Sequence, residues 1–370
     1  MKIGPILFIG GVNFAVLTTA LVLNLLDNYI DEQLYLGLRE YINTTHKDCV
    51  WRNAFKDRKL CTKDVRIWLY SNGTNKELID PMSPDWLLDT PHWNADKENV
   101  IFIHGYAAGD GSPPTLIMQE AFIQSGEYNF FMIDYGPVSR APCYVSLVQN
   151  IKYVSNCVAS YLKNFMNSGM QKQSITCIGH SIGAHGCGLL RRYLGFRLKK
   201  IIGLDAALPL ISDTDRLSWR DATFVQTIQT NAGYYGDIGS IGHLDVCINN
   251  GNMQPFCQNS QNPNLCSHLY AMCFVAQSLF NDEYQMEAKR CTQVCPHLSV
   301  FQIAKVFNPS DQSAIHDNSI AGDTPDNIVL SMNMSAHGSY CLSAMEKPFC
   351  SRTKEKIGTR RCCSFVDMFT

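Results

Sequence analysis

The sequence predicts an α/β fold whose central sheet is mostly parallel and covered by helices on both faces. Three observations carry that expectation. Four short apolar runs, at residues 100–103, 130–133, 175–178 and 200–204, lack the polar alternation of a half-solvated strand and match strands buried on both sides. Stretches with helical spacing lie between them, the kind of connection that parallel neighbours require. Each run also leads into a reactive or turn-forming group, namely His104-Gly105-Tyr106, Asp134-Tyr135-Gly136, Gly179-His180-Ser181 and Asp205. Ligands of open parallel sheets bind outside the carboxyl ends of the strands, so these groups mark one candidate site.

The 370 residues are enough for one large domain, and a hydrophobic content of 46% supplies its core. A net charge of −2 gives no field that would draw the chain to nucleic acid. Sixteen cysteines, an even number, suit a disulfide framework in an oxidising compartment. The N-terminus agrees: Lys2 precedes an apolar run over residues 3–26 broken only by Asn13, Thr18, Thr19 and Asn24. Residues 1–26 are therefore expected to be a secretory signal, with Ala20 as a cleavage position, or else an uncleaved signal anchor. Glycosylation sequons at Asn43, Asn72 and Asn333 fit the same secreted, extracellular route. The expected organisation is the signal, one domain over 27–350 and a tail over 351–370.

In chain order, residues 27–60 are polar without a period and form an N-terminal loop pinned by Cys49 and Cys61. Residues 64–70 alternate polar and apolar, the mark of an antiparallel edge strand. After the strand at 100–103, residues 115–124 read as an amphipathic helix. After the strand at 130–133, Leu147, Ile151, Val154, Val158, Tyr161, Leu162 and Phe165 recur at helical spacing over a long helix. Residues 222–230 form one more strand, 265–280 a helix, and 339–342 a closing strand within a cysteine-rich C-terminal part.

The chemistry centres on Gly179-His180-Ser181-Ile182-Gly183. A G-x-S-x-G segment between a strand and a helix suits a nucleophile elbow, because a serine on so tight a turn needs neighbours without side chains. A serine hydroxyl is a poor nucleophile at neutral pH, so Ser181 needs a histidine base, and the base needs a carboxylate to orient it. Asp205 is the leading acid, because the strand after the elbow helix delivers it to the same rim; Asp134 and Asp245 compete. Among ten histidines, His180 and His185 read as packing residues and His104 as structural. His268 and His243, both downstream of the acid, remain candidates for the base. Two backbone N–H donors must face the developing oxyanion, and Ile182 and Tyr106 are the expected pair. No H-E-x-x-H, P-loop or post-strand G-x-G-x-x-G occurs, so no metal or cofactor is expected. Cys291 and Cys295 read as a disulfide. The basic tail, from Lys347 to Arg361, reads as a solvated face or a contact for anionic lipid.

Phe102-Ile103-His104-Gly105-Tyr106, Gly179 through His185, Gly203-Leu204-Asp205-Ala206-Ala207 and Cys266-Ser267-His268 together resemble the pancreatic lipase family. The resemblance is strongest to its insect secreted branch, which includes phospholipase A1 enzymes, and it covers nearly all of the expected mature chain. It implies the α/β-hydrolase fold, Ser181 as nucleophile, Asp205 as acid and His268 as base. It also implies an oxyanion hole from the N–H groups of Tyr106 and Ile182, and a lid bracketed by Cys257 and Cys266. Lid and preceding loop (231–240) are both short, which resembles the phospholipase A1 pattern. The implied substrate is a phospholipid or another acyl-ester lipid at a membrane or micelle surface. A triacylglycerol lipase, or a non-catalytic lipid-binding protein of the yolk type, are the alternatives. The chain departs from the family pattern at Ala206, Ile182, Gln226, Gln229 and the tail with Cys362 and Cys363.

Overall fold

A computed structural model of the chain describes residues 49–71, 76–83, 85–279, 285–291, 295 and 324–348. The described residues from Val50 onward form one compact unit. The N-terminal apolar run, Asn43, Asn72 and the tail at 351–370 lie outside the described residues. Asn333 is described and exposed.

The strands are β1 (Arg66–Tyr70), β2 (Lys76–Ile79), β3 (Glu98–Ile103), β4 (Tyr128–Asp134), β5 (Ile175–His180), β6 (Leu198–Leu204), β7 (Ala222–Gln229), β8 (Leu244–Ile248), β9 (Glu287–Arg290), β10 (Asn327–Val329) and β11 (Gly338–Leu342). They join in one sheet in the order β10-β9-β11-β8-β7-β6-β5-β3-β4-β1-β2. From β4 through β11 every neighbouring pair is parallel, while β1 and β2 at one end and β9 and β10 at the other run antiparallel. This is a mostly parallel α/β sheet. The expectation of an edge strand at β1 needs correcting. Its sequence alternates because one side is only half covered, but the outer position belongs to β2, paired through Ile67–Ile79 and Tyr70–Lys76. Residues 76–79 are too short and too polar to have shown a period of their own.

Among the described residues four long helices cover the sheet: α1 (Pro113–Ser125), α2 (Tyr144–Asn167), α3 (Ile182–Leu194) and α4 (Pro263–Ser278). Their ends follow from local chemistry. Proline opens α1 and α4, where its missing N–H costs nothing. Gly126 and Gly195 close α1 and α3 in the left-handed conformation. Alternate residues of one strand feed two cores. Ile101 and Ile103 join α2 and α3 in the first, whereas Val100 and Phe102 join α1 and α4 in the second. Burying side chains of this size stabilises the fold by about 1.5–3 kcal/mol each, which is why strands apolar on both faces belong in the middle of the sheet.

Disulfides tie the elements: Cys61–Cys157, Cys177–Cys187, Cys247–Cys295, Cys257–Cys266 and Cys291–Cys341. Cys291 and Cys295 therefore do not pair with each other. The β9–β11 pairing brings Cys291 against Cys341 in β11, and Cys295 reaches Cys247 in β8.

Candidate active site

The sheet reverses its order of growth between β3 and β5, because β4 is added on one side of β3 and β5 on the other. Such a switch point opens a crevice at the carboxyl ends of the strands. Gly105 and Tyr106 follow β3, Ser181 follows β5 and Asp205 follows β6, so the crevice collects three of the singled-out segments.

Ser181 caps α3 with φ 56° and ψ −125°, a left-handed backbone that a serine rarely adopts. It persists because the turn is over-determined. The Ser181 N–H donates to the Leu204 carbonyl at 2.9 Å. The flanking glycines have no alternative: a Cβ on Gly179 would strike the backbone of Gly183 and Ala184, and one on Gly183 would strike the Ile103 and His104 carbonyl oxygens. A Cβ on Gly105 would lie 3.1 Å from the Ser181 Cβ, so the turn after β3 is packed directly on the serine. Tyr106 is next in that turn and stacks edge-on against Tyr144. Ile182 is the first residue of α3, and N–H groups in the first turn of a helix have no partner within it.

His268 lies on the second turn of α4, and its Nδ1–H donates to Asp205 Oδ2 at 2.5 Å. Both groups are buried, His268 at 5% and Asp205 at 1% exposure. The other carboxylate oxygen of Asp205 accepts from the N–H groups of Thr230 and Asn231, each at 2.8 Å. Gly236 closes over the carboxylate; a Cβ there would sit 2.6 Å from both oxygens. Thus Asp205 is an acceptor with its partners fixed, and His268 presents the opposite ring nitrogen away from the acid.

The competing residues lie elsewhere. The ring of His243 accepts at Nδ1 from the Val225 N–H, and Val225 is five residues before Thr230, roughly 16 Å down the strand at 3.3 Å per residue. Asp245 organises its own turn, accepting from Thr227 Oγ1 at 2.5 Å, Ser240 Oγ at 2.7 Å and the Gly242 N–H at 2.9 Å. Asp134 caps the turn at Gly136. His104 is buried with its ring stacked on Tyr135 at 3.9 Å, donating from Nδ1 to the Gly105 carbonyl and accepting at Nε2 from the Tyr135 N–H. Burial lowers its pKa to about 4. His185 bridges the Ala207 carbonyl and the Leu217 N–H, and burial lowers its pKa as well.

Sequence reasoning did not anticipate the clamp on Asp205, because backbone N–H groups of Thr230 and Asn231 leave no residue signal. Nor did it foresee that His180 touches His268. Its ring packs 4.7 Å from that of His268, and its Nε2–H donates to the His268 carbonyl at 3.2 Å. Burial, then the neighbouring His268, holds the His180 pKa well below the usual value, so it stays uncharged beside that ring. Over the site, the 231–240 loop is tied down by Leu208 N–H to the Tyr235 carbonyl and Asp237 N–H to the Ala206 carbonyl. The Tyr234 and Tyr235 rings are exposed, and the latter also packs on His268 at 5.6 Å. The loop between Cys257 and Cys266 precedes His268, and Asn262 caps α4 by accepting from the Leu265 N–H at 3.0 Å.

A family model described as Lipase matches residues 40–313 of the chain. Among curated proteins, the chain is 30% identical over 226 residues to phospholipase A1 member A of Bos taurus, covering 59% of this chain and 49% of that protein. It is 31% identical over 210 residues to pancreatic lipase-related protein 2 of Homo sapiens, covering 53% and 44%. It is 28% identical over 198 residues to lipase member H-A of Xenopus laevis, covering 52% and 43%. The matched stretch thus spans about half the length of these relatives.

Proposed function

The chain belongs to the lipase family, and from that premise we propose that it is a secreted serine esterase hydrolysing the sn-1 acyl ester of phospholipids through an acyl-enzyme on Ser181. The observation that carries this reading is the buried Asp205–His268 hydrogen bond of 2.5 Å, with the His268 ring packed 4.7 Å from that of His180, the residue before a serine held at φ 56°. A carboxylate on Nδ1 fixes the tautomer that leaves Nε2 as the acceptor for the serine proton.

In the proposed reaction, His268 Nε2 takes the Ser181 proton as Oγ attacks the ester carbonyl. The Asp205 carboxylate stabilises the imidazolium that forms, and the N–H groups of Tyr106 and Ile182 hold the oxyanion. A donor in that position is worth about 10²–10³ in kcat. Collapse breaks the ester C–O bond, and His268 gives its proton to the departing lysophospholipid alkoxide. Water, deprotonated by His268, then releases the fatty acid and restores the serine.

A phospholipid substrate is supported by the short loops. Eight residues between Cys257 and Cys266 and ten at 231–240 make too small a cover for a wide apolar mouth, which leaves room for a bulky polar head. That relatives of similar sequence are named phospholipase A1 agrees with this. Secretion is supported by the disulfides, which persist in oxidising compartments, and residues 1–26 are proposed as the signal, 27–350 as the catalytic domain and 351–370 as a tail.

The test is fatty-acid release from phosphatidylcholine micelles by the purified protein. Ser181→Ala and His268→Ala are expected to reduce it by at least about 10³-fold, and a serine-directed organophosphonate should label the wild type alone. Absence of both release and labelling would leave a non-catalytic lipid-binding protein. Faster initial rates on emulsified triglyceride than on phospholipid would make it a triacylglycerol lipase instead.

A further inference from the structure

We infer that Gln254 is a positioning residue that locks Asp205 and His268 into one unit, a role that rests on the reading of those two residues as acid and base. Gln254 lies between β8 and the Cys257–Cys266 loop and is fully buried, at 0% exposure. A buried amide must place all its donors and acceptors, so its partners define what it holds. Its two Nε2–H groups are shared among the carbonyls of Thr230 at 2.9 Å, Ile248 at 3.0 Å and Asn252 at 3.1 Å. Its Oε1 accepts from Asn249 Nδ2 at 2.8 Å. Asn249 is itself fixed, donating to the Ala344 carbonyl and accepting from the Ala344 N–H, each at 2.8 Å.

The bond to Thr230 is the informative one. The Thr230 carbonyl and the Asn231 N–H belong to the same planar peptide unit and point in opposite directions. That N–H donates to Asp205 Oδ1 at 2.8 Å. Holding the carbonyl therefore aims the N–H at the carboxylate, and polarising one end of the peptide strengthens the bond made by the other. The backbone of Gln254 reaches the base. Its N–H donates to Ser267 Oγ at 2.9 Å, and Ser267 precedes His268 and donates in turn to the Pro263 carbonyl at 2.8 Å. One buried residue thus fixes the donor that grips the acid and the helical turn that carries the base, while touching neither reacting group.

Gln254→Glu keeps the size and one acceptor but sets an oxygen against the Thr230 carbonyl; Gln254→Met keeps the length and removes the polar atoms. The active fraction of each is counted by organophosphonate titration of Ser181, and kcat per titrated serine and KM are measured on a soluble short-chain ester. The expected result is a 10- to 100-fold fall in kcat per titrated serine with KM within about twofold, the size of effect that a small misplacement produces. A residue that merely holds the fold would lower the titratable fraction and the melting temperature and leave kcat per serine unchanged; that result would overturn the inference. Should neither variant accumulate as folded protein, Ser267→Ala decides by the same readouts, with at least a threefold fall expected and an unchanged kcat overturning the role. A wild type that is neither active nor titratable would sink the proposed function and this inference together. An active wild type matched by Gln254→Glu would sink the inference alone.

Discussion

Two glycines, one beside Ser181 and one over Asp205, differ in what they must avoid, and that difference separates stability from activity. Gly183 faces the backbone carbonyls of Ile103 and His104, which cannot move without shifting β3. Gly183→Ala is expected to destabilise the protein by about 1–3 kcal/mol or more, the cost of overpacking a rigid site; the shift of the urea midpoint measures it, and a midpoint within error of wild type would contradict the packing described. At Gly236 the nearest atoms are those of the Asp205 carboxylate, and a methyl group added there would lie 2.6 Å from both oxygens. Gly236→Ala is therefore expected to lower kcat at least tenfold with a smaller effect on stability, because the group displaced is the one that orients His268. An unchanged kcat would mean that the carboxylate has freedom the hydrogen bonds do not suggest.

At the level of elements, Ser181 and Asp205 follow strands β5 and β6, His268 comes from α4, and the Cys257–Cys266 disulfide closes the loop just before it. Loop-closure entropy ranks the bridges by the chain they close. Cys61–Cys157 closes a sequence separation of 96 and Cys257–Cys266 only 9. Replacing the first pair by alanine is expected to cost about 4–5 kcal/mol and the second about 2–3 kcal/mol, read from denaturant unfolding. The order of effects on activity should be reversed, since Cys266 lies two residues before His268 and Cys61 lies in the N-terminal packing against α2. A short-loop variant with full kcat would show that α4 is held by its packing and its Asn262 cap alone. The sequence displayed the loop and its two cysteines; it did not display that Cys291 and Cys295 belong to different bridges, because pairing depends on which strands the sheet brings together.

For the whole molecule, the burial of neutral imidazoles sets the acid limit. His104, His180 and His185 are all buried with pKa values below the ordinary 6.5, and that of His104 falls to about 4. Below pH 6.5 the unfolded chain takes up protons that the folded chain refuses. Stability is therefore expected to hold above pH 6.5 and to fall as the pH drops through 6.5 toward 4, with His104 expected to contribute on the order of 3 kcal/mol of that loss. Melting temperature against pH measures the slope. His104→Phe, which keeps the ring on Tyr135, should shallow it, and an identical slope in the variant would remove His104 as a cause.

The sequence by itself determined the parallel sheet, the elbow and the identity of the serine and the acid as candidates, because these depend on local patterns: apolar runs, tight turns and the residue that ends each strand. It left His268 and His243 both open on residue logic, since two histidines downstream of one aspartate look alike until the strands are aligned. The tertiary structure separated them by register, bonding His243 to Val225 and His268 to Asp205. It alone revealed the support around the Asp205 carboxylate, namely the Thr230 and Asn231 N–H groups, Gly236 and the Gln254 amide. Main-chain donors carry no side-chain signature, and a glutamine that bridges residues distant in the chain gains its meaning only from the peptide groups that folding sets around it.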